Sequence, residues 1–280
     1  KGRTIQVVLI IAMGAFAIGM IIGTRTFMIA GMQLGWRASS PAMIYLWTNP
    51  SVDDDTLLAL KHIAGVTEVE GLLQTAIEWR LSPTDPWLPA GMSARADYTD
   101  QKFAKLNLLS GAWPDKKVFA VGQGADTRYG VQQGKQVYIR VADHEYTVQV
   151  GGFIYDPNVQ PPSFGGNAQF YTTREHFNDL TGEPNFNRIL AGATHWDEAW
   201  VTTLADKMQD KLEKAGVDSG GFAPPQGGRV GDPTKHFFQD TLDALFFIMG
   251  FMAVLALVLV TKQKHNIKVG STYIVKVSGT

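Results

Sequence analysis

The chain contains no cysteine. That excludes a disulfide framework, a CxxC redox pair and any cysteine-based zinc site. Acidic side chains are missing from both ends, the first being Asp53 and the last Asp243. Charge of either sign is absent between Arg3 and Arg25, where Gln6 is the one strongly polar residue, and again from Ala244 to Thr261. No Gly-x4-Gly-Lys-[Ser/Thr] phosphate loop occurs. The nearest string, Gly130–Gln136, has the wrong spacing and reads as a turn, as does Gly122-x-Gly124. The histidines (His62, His144, His176, His195, His236, His265) are scattered with no His-x3-His pair, and no Gly-x-Ser-x-Gly elbow is present. No catalytic, cofactor or metal residues are therefore assigned, and the chain is expected not to be an enzyme. Nothing in it is basic enough to suggest nucleic acid.

What is present is two apolar stretches around a polar middle. A helix rises about 1.5 Å per residue, so roughly 20 apolar residues cross a hydrocarbon core about 30 Å thick. The first stretch reaches that length and the second comes close. A cleaved leader is the weaker reading of the first. Its apolar region is too long, and Thr24-Arg25-Thr26-Phe27 is a poor small-residue cleavage site. Lys1 and Arg3 precede the first span, while Lys262, Lys264, Lys268 and Lys276 follow the second. Basic short flanks stay inside, so both termini are expected to be cytoplasmic and the middle extracytoplasmic, on a multi-pass protein of the cell membrane.

Ala15, Gly19 and Gly23 form a small-xxx-small ladder that lets two membrane helices approach closely. The alternative is that glycine is simply common in such helices. Apolar character continues to Leu34 and predicts a stalk that ends at Ser39-Ser40-Pro41.

The middle reads as strand Met43–Thr48, helix Val52–Ala64, then strands Thr67–Leu73 and Ala76–Leu81. Ser51 is expected to cap the helix, with Asp53, Asp54 and Asp55 near its positive end. Three aspartates without an Asp-x-Asp-x-Asp-Gly loop read as first-turn acids rather than a Ca²⁺ site. A second strand–helix unit follows at Arg188–Ala193 and Asp197–Ala215, with Trp200, Val201, Leu204, Ala205, Met208 and Leu212 on one helical face. Between the two units lie the predicted strands Lys117–Val121, Gln136–Val141 and Tyr146–Ile154, with Ala142–Glu145 as a hairpin connection. Trp47, Trp79, Trp87, Trp113 and Trp200 read as core packing rather than an aromatic ligand cleft.

The fold class is therefore α+β. Two transmembrane helices bracket an extracytoplasmic domain made of a split-βαβ α/β lobe with an inserted β-rich lobe. The expected segments are residues 1–40, first transmembrane helix and stalk; 41–89 and 183–218, the α/β lobe; and 90–182, the inserted lobe. Residues 219–236 form a linker, 237–261 the second transmembrane helix, and 262–280 a cytoplasmic tail.

The opening Lys1-Gly2-Arg3-Thr4 with Ala12-Met13-Gly14 resembles the first span of FtsX/MacB-like ABC transporter permeases. Leu109-x-Gly111-x-Trp113-Pro114, Tyr129-Gly130-Val131-x-x-Gly134-x-x-Val137 and Tyr146-Thr147-Val148-x-Val150-x-Gly152-Phe153 resemble the β-rich part of the MacB-like periplasmic core. The resemblance covers roughly residues 1–260. After that, Asn266–Gly270 and Val275–Gly279 echo a family signature only loosely, and the third and fourth spans do not appear. The chain reads as a piece of a longer permease.

What the resemblance implies is a permease subunit that couples ATP hydrolysis on an ABC-type ATPase partner to motion of the outer domain, for export, extraction or mechanotransmission. It further implies a second permease subunit, the surrounding lipid bilayer and an extracytoplasmic adaptor protein as partners. The competing readings are a two-span receptor or scaffold whose outer domain binds a ligand or partner protein, and a membrane-tethered hydrolase.

Overall fold

The computed structural model describes residues 2–160, 162, 165–224 and 227–277. It divides into two compact units. One joins the chain up to Leu34 to the chain from His236, and the other is Gly35–Lys235.

The first unit is helical. Helix α1 spans Gly2–Ala38 and helix α6 spans Gln239–Val277. Within them Ala12–Ala38 and Gln239–Leu259 are long and apolar enough to cross a membrane, and both are largely uncovered by the rest of the chain. Helix α1 stops before Ser39-Ser40-Pro41 as its sequence predicts. Ser39 Oγ donates to the Trp36 carbonyl at 2.7 Å and Ser40 turns to φ 51°, so no further helical bond can form. The tail expected over 262–280 is helical as far as Val277, and residues 278–280 lie outside the described residues. Helix α6 runs on through it because that stretch has no proline and a single glycine, Gly270.

In the second unit the two predicted strand–helix pairs appear as β1 (Ile44–Val52) with α2 (Asp54–Lys61), and β9 (Phe186–Ala193) with α5 (Glu198–Lys214). Each helix leads into a strand, β2 (Val66–Arg80) and β10 (Asp218–Gly221). The strand order β10-β1-β9-β2 is antiparallel throughout. This is the split βαβ arrangement, with β1 and β2 parallel on either side of β9. Residues alternate between its faces: Ile44, Leu46, Ile189 and Ala191 meet the helices, while Tyr45 and Leu190 join a second cluster on the helix-free face. Helix α5 seats Val201, Leu204, Ala205, Met208 and Leu212 on that sheet, and Trp200 packs beside them. Val201, Leu204, Met208 and Leu212 each contribute about 1.5–3 kcal/mol on burial, far more than helix propensity.

Three local expectations are corrected. Asp53, not Ser51, caps α2, its carboxylate accepting from the Thr56 N–H at 2.9 Å. The two strands expected between Thr67 and Leu81 are one strand, β2, because no residue there breaks the extended chain. The segment expected to be a linker from residue 219 begins with β10, paired to Leu46–Asn49 of β1.

Strand β2 also builds the second part of the unit. Its later half pairs with β3 (Leu88–Arg95) and, at Glu78–Arg80, with β6 (Gln136–Val141). Strand β3 pairs in parallel with β8 (Ala168–Thr173), β8 with β5 (Val118–Gly122), β5 with β7 (His144–Tyr155), and β7 with β6. The ring β2-β3-β8-β5-β7-β6 closes into a small six-stranded barrel with β4 (Asn107–Gly111) on its outer rim. The β6–β7 hairpin turns at Ala142 and Asp143, which hold φ 44° and 68°, while His144 and Glu145 already lie in β7. Trp79, Phe119 and Phe170 fill the barrel, their rings meeting edge to face. Two short helices complete it, α3 (Ala125–Tyr129) and α4 (Arg174–Thr181). The expected boundary at residues 89 and 90 falls inside β3, and one core cluster runs from α5 through to the barrel.

Candidate functional site

The helix pair carries the residues expected to pack in the membrane. Between α1 and α6 the close approach is at Gly14, where a Cβ would lie 3.0 Å from Leu257 Cδ1. At Gly19 and Gly23 a Cβ would meet nothing within 4 Å, and Ala15 is exposed. The ladder therefore does not hold α1 against α6; within this chain it faces open space. Polar contacts join the helices instead. Arg25 Nη2 lies 2.6 Å from Asp243 Oδ1, and Gln33 Nε2 donates to Gln239 Oε1 at 2.8 Å. Charges in such helices are costly in hydrocarbon, so they face a partner charge.

In the second unit, Gly35–Lys235, polar groups gather on the helix-free face. There Leu72 of β2 is the register partner of Arg188 on β9 and of Arg95 on β3. Directly opposed residues project on one face, so the two arginines flank Leu72 in a row. Arg95 is buried and fully engaged. Its Nη1 donates to Glu70 Oε1 at 2.7 Å and to the Phe103 carbonyl at 3.0 Å, and Nη2 donates to the Ala104 carbonyl at 2.7 Å. Glu70 Oε2 accepts from the Lys102 and Phe103 N–H groups at 3.0 and 2.8 Å. The clamped segment continues to the base of α1, where the Ala104 and Lys105 N–H groups donate to the Ser40 and Ser39 carbonyls at 3.1 and 2.7 Å.

Arg188 differs from Arg95. It is half-buried, gives one hydrogen bond, to the Asn187 carbonyl, and lies 5.5 Å from the Phe222 ring. Desolvation alone pulls its pKa below the ordinary guanidinium value. Among the described residues no carboxylate reaches it within ion-pair distance.

Beside this row is a cavity of about 250 Å³. Tyr45, Leu72, Leu190, Phe222 and Pro224 give it apolar walls. Arg95, Asp156, Asn158 and Tyr171 are polar groups along it. Asp156 Oδ1 accepts from the Asn158 N–H and side-chain amide, and Oδ2 from the Tyr171 hydroxyl at 2.9 Å. Asn158 Oδ1 is left buried without a partner. Burial raises the Tyr171 and Tyr45 hydroxyls well above the ordinary phenol value, so both stay protonated donors.

The other residues noted in the sequence are dispersed. Trp79 is barrel core, Trp113 stacks on Tyr98, Trp200 stacks on His195, Trp47 lies against Gly220, and Trp87 sits between Arg80 and Arg140. They line no common cleft. Among the described residues no group of three His, Asp or Glu is placed to hold a metal ion. The cavity itself went unread in the sequence, because its walls come from strands that pair across more than a hundred residues.

No family model matches the chain, and no curated protein matches it. Among solved structures it is similar to the extracellular domain of the noncanonic ABC-type transporter YknZ from Gram-positive bacteria. That likeness has 14% identity and a TM-score of 0.44, over 63% of this chain and 98% of the other. It is also similar to the periplasmic region of MacB from Actinobacillus actinomycetemcomitans, with 9% identity and a TM-score of 0.43 over 65% of this chain and 90% of the other. Both likenesses are loose.

Proposed function

We propose that the chain belongs to the permease subunit of an ABC-type transporter of the FtsX/MacB-like kind. One observation carries the reading: a large folded unit of split-βαβ lobe and barrel is inserted between two apolar helices that contact each other through Gly14, Leu257, Arg25 and Asp243. The order of the barrel motifs, from Leu109 to Phe153, supports it. On this reading the chain does no chemistry. An ATPase partner hydrolyses the nucleotide, and movement of α1 and α6 is passed to the outer unit, which lies outside the cell membrane. A second permease subunit packs on the open side of Gly19 and Gly23, where no side chain keeps backbones apart.

The test is purification of the tagged chain from its native membranes in mild detergent. An ATP-hydrolysing subunit should accompany it, and Gly19→Leu or Gly23→Leu should abolish self-association or ATPase stimulation. Recovery of the chain with no hydrolysing partner, or hydrolytic turnover by the chain itself, overturns the reading.

A further inference from the structure

The cavity on the helix-free face has no role in the coupling just described. Its contents are constrained by three observations. Its walls include five apolar or aromatic side chains, and a volume of about 250 Å³ is roughly that of eight waters at liquid density. That is too much apolar surface to leave against solvent at no cost, and it matches a short hydrocarbon body. Arg188 is not itself a wall residue; it stands next to the wall, the register neighbour of Leu72, two residues from Leu190 and 5.5 Å from the Phe222 ring.

A guanidinium has five N–H donors, and Arg188 gives one hydrogen bond. Its neighbour in the row, Arg95, shows what a satisfied arginine looks like here: one carboxylate and two carbonyls. The carboxylate of Glu70 belongs to Arg95 and to two backbone N–H groups, and Asp156 is bonded by Tyr171 and Asn158. Neither is placed to serve Arg188. Among the described residues no anion pairs with this partly desolvated cation.

We infer that this face binds a single-chain anionic amphiphile, its carboxylate paired to the Arg188 guanidinium beside Leu72 and Phe222 and its apolar body in the cavity lined by Tyr45, Leu72, Leu190 and Phe222. Arg–carboxylate pairing is bidentate and charge-assisted, so it selects the head group, while a volume of about 250 Å³ suits a chain of about eight carbons. The inference does not need the transporter reading, since ligand capture by the outer unit is separate from what the helices couple to.

The test uses the full chain in lipid nanodiscs with a diazirine-bearing octanoate, photolabelled and mapped by mass spectrometry. Labelling is expected on the peptides carrying Leu72, Leu190 and Phe222. Unlabelled octanoate should compete at least about tenfold better than octylamine or octanol, the ratio that one charge-assisted bond supplies. Arg188→Gln should erase that head-group preference and Arg188→Lys should keep part of it. Leu190→Trp, which fills the cavity, should abolish labelling while the thermal melt stays cooperative. Equal competition by the three head groups overturns the inference. So does a preference for the amine, drawn by Asp156 and the unbonded Asn158 Oδ1, and so does labelling confined to the membrane helices. Where a variant fails to fold, the head-group comparison on the unaltered chain still decides the matter.

Discussion

Arg95 and Glu70 form a buried ion pair at 2.7 Å, with 6% and 12% of their side chains exposed, and together they fasten residues 102–104 to the sheet. The fastened segment is also the one that bonds Ser39 and Ser40 just after α1. One polar cluster thus ties three stretches of the outer unit that are distant in sequence. Because both charges have left water, the pair gains little net stability while intact, yet removing one partner strands the other.

Arg95→Met should therefore destabilise the outer unit by about 3–5 kcal/mol, seen as a lower denaturation midpoint in urea. Adding Glu70→Leu should restore part of the loss. The checkable quantity is the coupling in the double-mutant cycle, expected to be at least about 1 kcal/mol. Additive losses would show that the two side chains act separately.

In the helical unit, Gly14→Leu should separate α1 from α6, because its side chain would enter the space held by Leu257. Gly19→Leu and Gly23→Leu should leave that pairing intact and act only on association with another copy. Paired cysteines across the α1–α6 contact and across the Gly19 face, cross-linked in membranes, separate the two effects. If Gly14→Leu cross-links like the unaltered chain, α1 and α6 are held together by the Arg25–Asp243 and Gln33–Gln239 contacts alone.

His176 gives the outer unit a pH dependence. Burial lowers its pKa, an effect that Lys117 adds to and Asp179 opposes, and its Nδ1 lies 3.2 Å from Thr172 Oγ1. A group whose folded value is depressed contributes stability that is complete above its unfolded value, about 6.5, and is lost as pH falls through the folded one. Thermal melts from pH 7.5 down to pH 5 should fall for the unaltered chain, and the fall should be shallower in His176→Gln. Parallel curves would remove His176 as its source.

The cysteine-free chain allows a direct test of orientation. Ser110→Cys should react with an impermeant maleimide in intact cells and Ser271→Cys should not, if the basic flanks keep both ends inside as proposed. The reverse pattern would place the outer unit in the cytoplasm.

The sequence alone determined whatever depends on neighbours along the chain. The uncharged runs set α1 and α6, and the stripe from Val201 to Leu212 set the buried face of α5. The helix expected over Asp197–Ala215 is capped by Asp197 and followed by the left-handed Gly216, signals that act within a turn. Ser51 was misread as a cap because Asp53, two residues on, offers a carboxylate at the better position for the Thr56 N–H. Strand β3 was not among the expected strands, and it holds Pro89 and Gly91, residues that weaken a strand pattern. In the barrel, Pro89 faces Glu78 on β2, and Gly91 has no side chain because the Gln169 side chain occupies the place where its Cβ would project.

Only the tertiary structure decided that β2 belongs to both the split-βαβ lobe and the barrel, that six strands close that barrel, and that Gly14 rather than the Ala15–Gly23 ladder meets α6. It alone set Arg188 and Arg95 on either side of Leu72, one with an acid and one without. Strand pairing is fixed by partners far away in the chain, and hydrophobic periodicity reports which face a residue takes without reporting which residue it will face.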